Sequence, residues 1–543
     1  MKEFSHKARL ENIQKMQNET FDFVSVGGGI NGAGIARDAV SRGMKVALVE
    51  AADFSSGTSS RSSKLIHGGI RYLENYEFKL VFEALNERTK LFEMAPHLVH
   101  PLRFMIPLYE SSRVGMGLMG LGMWLYDALS LFQAPELHER LSAKSSLLRM
   151  PILKPQGLKG SFIYSDAYMD DDRLVHETLR AANEEGLIAA NYCKAGALDF
   201  SNEGNFQALN VTDQLSKEGF KIKARHLICA AGPWTDELGQ TFFKDWKKAL
   251  RPTKGIHLTL SKDRLPLSSA VVMAAEKSDR IVFGIPRHEM VIVGTTDTDY
   301  SVSPSEVGAD EKDVKYLLEI VNGYFPGAAI KEADIISSYA GVRPLVKDEA
   351  QSEGKTSREH RIWQDPKGIT FVAGGKYTTY RLMSEQVVEK ALSVFPVGDR
   401  VKFGNSQTNR PLSPFVEALK FHDTRMQIKT LAASFNCPLE DMIWLVDRYG
   451  AEAVEILERT QNYPGRYQKE AHQAIHHTMC LGLTDFMTRR VPLFLADPMH
   501  GLAILESVVE VFSKELDWSQ DQMKFEIQKY KDYISKELAW KHN

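Results

Sequence analysis

Cysteine is scarce in this sequence and occurs in no paired motif. The 543-residue chain has four cysteines, Cys193, Cys229, Cys437 and Cys480, and none of them forms a CxxC pair. Such scattered thiols argue against a disulfide framework and against a cysteine-based zinc site. They are typical of a protein in a reducing compartment, so we expect a cytoplasmic location.

The sequence also lacks a long apolar run and a strong charge of one sign. Its longest uncharged apolar run is thirteen residues, 114–126, whereas a bilayer span needs about 20. The run predicts a buried or lid-forming helix, with a membrane-facing helix as the alternative. Residues 1–20 carry both charges without an apolar core, which predicts a short solvated helix instead of a signal peptide. The net charge of -3 gives no general attraction to nucleic acid, and we expect no such partner.

A strand, a glycine-rich turn and a helix open the folded part of the sequence. Residues 21–26 form a nearly continuous apolar run that predicts a buried strand. Gly27, Gly29 and Gly32 follow at the G-x-G-x-x-G spacing, before an alanine-rich helix and a second strand at 45–49. Glycines at these positions allow a dinucleotide pyrophosphate to approach backbone N–H groups at the helix N-terminus. This unit predicts a dinucleotide site.

Glu50 adds to the prediction of a dinucleotide site, and a second glycine turn indicates which dinucleotide binds. Glu50, eighteen residues after Gly32, is placed to accept hydrogen bonds from the adenosine ribose. Strands predicted at 224–230 and 368–373 indicate that the sheet is assembled from distant segments. The second of these leads through residues 374–376 into a helix whose dipole suits the electron-rich end of a flavin. The turn therefore favours a flavin, and a plain α/β crossover is the alternative.

Four stretches of this sequence resemble the FAD-dependent, respiratory glycerol-3-phosphate dehydrogenases. They are residues 27–34 (GGGINGAG), 58–74 (TSSRSSKLIHGGIRYLE), 341–345 (GVRPL) and 374–381 (GGKYTTYR). The resemblance runs from about Phe21 to the C-terminus. It implies non-covalent FAD, oxidation of sn-glycerol 3-phosphate to dihydroxyacetone phosphate, and electron transfer to a membrane quinone. It also implies a position at the inner face of the cell membrane, and a homodimer is one option for the oligomeric state.

The resemblance implies a fold of α/β and α+β class in three parts. These are a discontinuous FAD-binding Rossmann-like domain of the D-amino-acid-oxidase type, a mixed-sheet substrate domain and an all-helical C-terminal domain. We expect the FAD-binding domain at residues 20–75, 160–250 and 335–395. The substrate domain is expected at 76–159 and 251–334, and the helical domain at 404–543. Alternating residues at 281–285 and 290–293 predict antiparallel strands in the substrate domain.

We expect the cofactor-binding residues within the glycine-rich and serine-rich motifs. They are Gly27, Gly29, Ile30, Asn31, Gly32, Glu50, Ser59, Ser60, Ser63, Lys64, Gly68, Gly69, Gly232, Gly374, Gly375, Lys376, Tyr377 and Thr378. A phosphorylated substrate also needs cations, because arginine and lysine bind phosphate by charge-assisted hydrogen bonds. The predicted substrate-binding residues are Arg71, Tyr72 and Arg358.

Oxidation of a secondary alcohol needs a group that takes the hydroxyl proton. His257, in residues 253–260 (TKGIHLTL), is the first candidate because the resemblance places this segment over the substrate. A histidine that only hydrogen-bonds the phosphate is the alternative. Arg343 and Lys376 complete the predicted catalytic set, since either could stabilise the alkoxide.

Other activities are compatible with a flavin site on this sequence. An oxidase that reduces oxygen, an amino-acid or sarcosine oxidase-like enzyme and a flavin-carrying scaffold are the alternatives. The compact stretch from Arg343 to Lys376 favours the dehydrogenase over the oxidase. A cluster of basic residues favours a phosphate over a carboxylate substrate.

Two basic groups near the C-terminus need separate interpretation. His472 and His476 have the i, i+4 spacing that zinc can use, and His477 follows them. No third ligand accompanies them in the sequence, so we expect no metal. Arg489 and Arg490 could contact lipid headgroups, and a solvated face or an interdomain contact is the alternative.

Overall fold

Two β-sheets and a group of helices make up the protein. The computed structural model describes residues 1–274, 280–288, 290–347 and 360–541. In chain order the strands are β1 (Thr20–Val26), β2 (Val46–Val49), β3 (Leu65–Ile66), β4 (Val99–Tyr109), β5 (Glu139–Ser142), β6 (Leu158–Met169), β7 (Ile188–Ala190), β8 (Cys193–Phe200), β9 (Phe206–Asp213), β10 (Gly219–Cys229), β11 (Thr253–Ser261), β12 (Ala270–Ala274), β13 (Ile281–Arg287), β14 (Met290–Gly294), β15 (Thr298–Asp299), β16 (Ile335–Arg343), β17 (His360–Asp365) and β18 (Ile369–Gly374).

Helices connect and cover the sheets and form the C-terminal part. They are α1 (His6–Asn18), α2 (Ile30–Ser41), α3 (Phe78–Met94), α4 (Met116–Leu129), α5 (Ala143–Arg149), α6 (Asp171–Glu184), α7 (Thr235–Phe242), α8 (Glu311–Tyr324), α9 (Tyr380–Leu392), α10 (Val397–Arg400), α11 (Ala418–Met426), α12 (Ile428–Ser434), α13 (Leu439–Tyr449), α14 (Glu452–Arg459), α15 (Arg466–His477), α16 (Leu483–Arg489), α17 (Leu493–Ala496), α18 (Leu505–Leu516) and α19 (Gln520–Glu537).

The first sheet has five parallel strands in the order β18-β10-β1-β2-β7. The strands predicted from the apolar runs are confirmed as β1, β2, β10 and β18. All four residues of β2 are buried, as expected for a strand covered on both faces. Because carboxyl ends of parallel strands meet at one edge, the turns after β18, β10, β1 and β2 lie side by side.

The second sheet is mainly antiparallel and carries the order β15-β11-β14-β13-β12-β4-β6-β3, with β16 paired to β11 and β5 to β6. The predicted antiparallel pair is confirmed as β13 and β14. Two segments assigned from the sequence to the first domain, β6 and β16, lie in this sheet instead. Most residues of β6 are buried, as in a strand of the parallel sheet, so its sequence does not show which sheet it joins. Its partner β4 is distant in the chain.

The N-terminal helix is packed, whereas the sequence predicted a solvated one. Helix α1 buries Arg9, Asn12, Ile13 and Met16. Arg9 donates to the carbonyl of Asn191 at 2.9 Å and pairs with Asp213 at 2.5 Å. Its charge is thus compensated inside the protein, which a count of charged residues does not show.

Buried ion pairs attach the C-terminal helices to the rest of the protein. Arg489 and Arg490 each lie 2.8 Å from Asp53, in the loop after β2. Arg448 pairs with Asp170 at 2.6 Å, just before α6. The interdomain alternative for Arg489 and Arg490 is therefore the one that the structure shows. Because these charges are buried, loss of one partner would leave an uncompensated ion.

Helix α4 corresponds to the longest apolar run and is only partly covered. It buries Met123, Tyr126 and Asp127. Leu118, Leu121 and Trp124 are 65%, 68% and 60% exposed, respectively. No helix among the described residues is long and apolar enough to cross a membrane.

Candidate cofactor and substrate site

Glycine is required by the backbone where β1 turns into α2. Gly27 has φ +111°, and a Cβ there would lie 2.5 Å from the carbonyl oxygen of Ala230. A Cβ on Gly32 would lie 1.8 Å from the carbonyl oxygen of Gly27. These contacts bring the N-terminus of α2 against the ends of β1 and β10. A Cβ on Gly29 would approach only the Ser59 side chain, at 3.0 Å, so the space before the helix remains open.

Glu50 lies beside this turn at the end of β2. Its two carboxylate oxygens accept from the backbone N–H groups of Gly28 at 2.7 Å and Ala52 at 2.9 Å. Burial raises the pKa of this carboxyl, and the two backbone donors oppose that shift. Each oxygen keeps a further lone pair, so the group can still accept a hydrogen bond from a ligand.

The serine-rich segment after residue 57 is attached to β16. Thr58 Oγ1 donates to the carbonyl of Val342 at 2.7 Å, and Tyr339 Oη donates to the carbonyl of Ser62 at 2.9 Å. Ser59 Oγ accepts from the N–H of Ile30 at 2.9 Å, at the first turn of α2. Thus one segment contacts both the helix N-terminus and the second sheet.

Lys64 and Ser60 turn towards the protein instead of the open space. The buried Lys64 ammonium pairs with Asp171 and donates to the carbonyl of Ser60 at 3.2 Å. Ser60 Oγ donates to the carbonyl of Gly57 at 3.5 Å. Asp171 was not recognised from the sequence, although an acidic residue at the start of α6 is a typical helix-start signal.

A second glycine turn approaches the same region from β18. Gly374 and Gly375 have φ values of +78° and +84°. After them, Thr378 Oγ1 accepts from the N–H of His67 at 3.1 Å and donates to its carbonyl at 3.2 Å. Tyr377 Oη donates to the carbonyl of Asp171. This turn is therefore held against the segment that carries Gly68 and Gly69, where Gly69 has φ +76°.

Gly232 follows β10 and has φ +54°, within a 3-10 helix. It lies next to the turns after β1 and β18 in the strand order. The predicted cofactor residues that follow these strands thus share one sheet edge, as do Glu50 and the end of β2.

His257 and Arg343 lie on one face of the paired strands β11 and β16. In the register, His257 is opposite Tyr339 and Arg343 is opposite Thr253. Burial is the main cause that lowers the pKa of His257 well below its ordinary value, and the nearby Arg343 charge adds to it. The imidazole stacks on the Tyr339 ring at 4.7 Å, and its Nε2 lies 2.8 Å from Ser63 Oγ. It is therefore a neutral ring at neutral pH, held by a hydroxyl.

Glycines on neighbouring positions make room for both side chains. A Cβ on Gly255 would lie 2.5 Å from the Arg343 Nη2, and a Cβ on Gly294 would lie 2.2 Å from the His257 ring. The Arg343 guanidinium also donates to Thr295 Oγ1 at 3.0 Å and contacts Asp297 at 3.2 Å. Asp297, Gly255 and Gly294 were missed by sequence reasoning. The short spacing of glycine and histidine in residues 253–260 was the available signal for Gly255.

Lys376 and Tyr72 meet although they are distant in the sequence. The Lys376 ammonium lies 3.5 Å from the centroid of the Tyr72 ring. Tyr72 is buried in a 3-10 helix, Ile70–Asn75, in which Arg71 is exposed. Arg358 lies outside the described residues. The structure therefore joins two predicted site residues directly and leaves Arg71 at the surface of the same turn.

Comparisons with known proteins agree with this architecture. A model of the family described as "FAD dependent oxidoreductase" matches residues 22–381. A second, described as "C-terminal domain of alpha-glycerophosphate oxidase", matches residues 418–523. The aerobic glycerol-3-phosphate dehydrogenase of Staphylococcus aureus is 34% identical over 530 residues, covering 94% of each chain.

Solved structures show the same relationship. The glycerol-3-phosphate dehydrogenase from Bacillus halodurans, complexed with FAD, superimposes with a TM-score of 0.80 at 26% identity, covering 98% of each chain. L-alpha-glycerophosphate oxidase from Mycoplasma pneumoniae, with FAD bound, has a TM-score of 0.53 at 18% identity, covering 72% of this chain and 98% of that one. At this identity the second match supports the fold alone.

The expectations of family, three-part fold class and FAD as cofactor are confirmed by these matches. The chain belongs to the FAD-dependent oxidoreductase family and, within it, to the aerobic glycerol-3-phosphate dehydrogenases.

Proposed function

We propose that this enzyme oxidises sn-glycerol 3-phosphate to dihydroxyacetone phosphate and passes the electrons to a quinone at the inner face of the cell membrane. The similarity to glycerol-3-phosphate dehydrogenases supports the substrate. The observation that carries the proposal is the placement of Arg343 beside the buried neutral His257, on a sheet face kept open by Gly255. A cation and a neutral base side by side suit a phosphorylated alcohol.

The residues at the sheet edge fit FAD. The open space before α2 suits the pyrophosphate, because a side chain on Gly29 would enter it and the helix N-terminus favours an anion. Glu50 retains acceptor capacity for the ribose hydroxyls. The turn at Gly374 and Gly375 opens the 3-10 helix before α9, which supports its use at the flavin end. When bound, FAD supplies the two-electron acceptor for the hydride that leaves C2 of the substrate.

The substrate phosphate would lie within reach of basic side chains. Arg343 is half-buried and held by Thr295 and Asp297, so its guanidinium is positioned in advance. Lys376 adds a second cation, oriented by the Tyr72 ring. In this proposal Arg71 and Arg358 complete the substrate contacts, and Arg343 or Lys376 stabilises the alkoxide.

His257 would take the hydroxyl proton of the substrate. Its Nε2 bonds to Ser63 Oγ, and Ser63 is half-exposed whereas His257 is buried. We therefore place Ser63 between substrate and imidazole, so that the proton leaving the substrate oxygen reaches Nε2 through the serine hydroxyl. Burial keeps the imidazole neutral beforehand, so Nε2 has a lone pair for the proton, and the same burial makes the ring a weaker base than an exposed histidine.

The quinone part of the proposal is supported by helix α4. Its outer face exposes Leu118, Leu121 and Trp124, whereas the hydroxyl of Tyr126 on its inner face donates to Asp166 at 2.8 Å. Asp166 in turn accepts from the N–H of Gly68 at 3.3 Å. The exposed apolar face and the contact with Asp166 thus lie on opposite faces of α4, and Asp166 contacts the segment with Gly68 that the turn after β18 holds. An apolar helix face with tryptophan suits insertion into a lipid surface, where quinones dissolve.

One experiment separates this proposal from its alternatives. Anaerobic titration of the holoenzyme with glycerol 3-phosphate should reduce the flavin and bleach its absorption band at about 450 nm. Subsequent stopped-flow mixing with a quinone analogue should restore the band much faster than mixing with oxygen. Fast reoxidation by oxygen with stoichiometric peroxide would establish an oxidase instead. Bleaching by an amine and not by glycerol 3-phosphate would establish the amino-acid oxidase alternative. If neither compound bleaches the flavin, the protein would be a flavin-carrying scaffold.

A further inference from the structure

A three-residue group outside the proposed active site brings together metal-binding side chains. His472 and His476 lie on α15, and Glu515 lies in the last turn of α18. One possible ligand atom from each residue falls within 4.8 Å of the other two. His476 Nε2 is 2.8 Å from Glu515 Oε2, and the two imidazole centroids are 4.4 Å apart. No third ligand accompanies the histidines in the sequence, but in the structure the packing of α18 against α15 brings Glu515 beside them.

We propose that His472, His476 and Glu515 bind a divalent transition-metal ion of the Zn²⁺ class. Histidines at i and i+4 present their rings on one face of a helix, and a carboxylate from a facing helix supplies the third ligand. Two imidazoles and a carboxylate form a known zinc donor set, which leaves a fourth position for water. Imidazole nitrogen also favours Zn²⁺ over Mg²⁺ or Ca²⁺, which prefer oxygen-only sites.

The surroundings of His472 support this donor set. Its Nδ1 is shielded from solvent and has no hydrogen-bond partner within the described part of the chain. A shielded ring nitrogen without a partner gains most from coordination.

The site would have a structural role at the junction with the N-terminus. The N–H of Phe4 donates to the carbonyl of His476 at 2.9 Å, and the N–H of Met479 donates to the carbonyl of Phe4 at 2.7 Å. A metal ion would therefore connect α15 to α18 at the place where the segment before α1 is attached. This role is independent of the substrate and of the electron acceptor.

Other contacts limit the affinity and define the alternative. Tyr463 Oη donates to Glu515 Oε1 at 2.5 Å, so the carboxylate already has a partner. The charges of Arg459 and Lys514 are close enough to lower the pKa of His472 and would oppose a cation. We therefore expect weaker binding than at a four-ligand structural site, and a hydrogen-bonded group without metal is the alternative.

Equilibrium dialysis of the holoenzyme against ZnCl₂, followed by metal analysis, tests the proposal. Wild type should retain one equivalent of zinc per chain, and the midpoint of thermal unfolding should rise with zinc concentration. His472→Ala and Glu515→Gln should each weaken binding by at least about tenfold, because each removes a ligand. Flavin content reports whether each variant is folded, and Glu515→Gln keeps a hydrogen-bonding group of the same shape.

Two exposed residues outside the proposed zinc site provide matched control variants. His422→Ala on α11 and Glu510→Gln on α18 remove the same chemical groups from exposed positions and should leave zinc retention unchanged. Retention of zinc by both ligand variants at the wild-type level, or no zinc retained by wild type beyond a denatured control, would overturn the site. Neither outcome depends on whether glycerol 3-phosphate is the substrate.

Discussion

The Lys376 ammonium lies 3.5 Å from the centroid of the Tyr72 ring, so the turn after β18 contacts the segment 58–74 through a cation and an aromatic face. We expect Lys376→Met to lower kcat/KM for glycerol 3-phosphate by about 10- to 100-fold, the size of one lost charge-assisted hydrogen bond. Steady-state kinetics with a soluble dye acceptor would measure it.

The control for this variant is Lys390→Met, which removes an exposed lysine from α9 and should leave kcat/KM unchanged. Unchanged kcat/KM in Lys376→Met would contradict its role at the substrate, whereas loss of flavin would support the cofactor-binding role that the sequence also predicts for it.

Arg343→Ala should abolish most activity and leave the protein yellow. The guanidinium lies over Gly255 on the second sheet, where it bonds to Thr295 and Asp297, so we expect its removal to disturb the substrate side of the site and to leave the glycine turn assigned to FAD intact. Arg343→Lys should recover little activity, because lysine cannot reproduce a bidentate contact. A flavin-free Arg343→Ala protein would show that we have misplaced this residue.

Asp297 should limit the strength with which Arg343 binds phosphate. The carboxylate lies 3.2 Å from the Arg343 guanidinium and is half-exposed, so it competes with an anionic substrate while holding the arginine in place. Asp297→Asn keeps a hydrogen-bond acceptor but removes the charge. We expect a lower KM together with a lower kcat, measured by initial rates. A rise in KM alone would indicate that orientation of Arg343 outweighs competition.

Gly29→Val should have the opposite phenotype to Arg343→Ala. A side chain on Gly29 would fill the space before α2, so we expect the variant to fold without FAD. The absorbance ratio of flavin to protein in the purified variant measures this directly. Gly157→Val is the control, because a Cβ there would meet nothing within 4 Å, although its positive φ adds strain. Normal flavin content in Gly29→Val would move the pyrophosphate away from this turn.

The parts of the fold that sequence predicted are those with a local signal. The turn from β1 into α2 carries its own glycines, and β13 and β14 alternate within a short range, so both were predicted before any tertiary contact was known. The conformation of both elements is determined by residues close together in the sequence. The segments with β6 and β16 were assigned to the FAD-binding domain, whereas both strands pair in the second sheet, because a strand buried on both faces looks the same in either sheet.

The candidate site divides in the same way. Gly374, Lys376 and Arg343 stand within recognisable motifs, whereas Asp297 has no local pattern and meets Arg343 only through the pairing of β11 with β15 and β16. Glu515 is a similar case, since nothing near it in the sequence points to His472. Charged partners brought together by packing require the three-dimensional structure.

Acid should destabilise the protein through buried histidines, and His226 is the clearest case. Burial lowers its pKa from 6.5 to about 4, with Nε2 held 2.7 Å from Thr370 Oγ1. The unfolded chain takes up a proton below pH 6.5, whereas the folded protein does so only near pH 4, so stability is lost as pH falls through this window. At pH 5 the contribution of His226 to this loss is about 2 kcal/mol.

Thermal unfolding of the holoenzyme at pH 7.5 and pH 5.0 measures this effect. His226→Gln should show a smaller difference in Tm between the two pH values than wild type, because glutamine does not titrate. His422→Gln removes an exposed histidine and should behave as wild type. An equal pH response in wild type and His226→Gln would assign the acid sensitivity to other groups.

The exposed face of α4 should decide whether the enzyme reaches a quinone dissolved in lipid. Burial of one leucine side chain is worth about 1.5–3 kcal/mol, so replacing Leu118 and Leu121 together by aspartate should weaken vesicle binding by at least about 100-fold. Co-sedimentation with phospholipid vesicles measures the binding directly. Turnover with a vesicle-embedded quinone should fall in parallel, whereas turnover with a soluble dye should not change, because the inner face with Tyr126 is untouched. Leu419→Asp is the control, since Leu419 is 81% exposed on α11. If the α4 variant still binds vesicles as wild type does, then another surface must carry the contact.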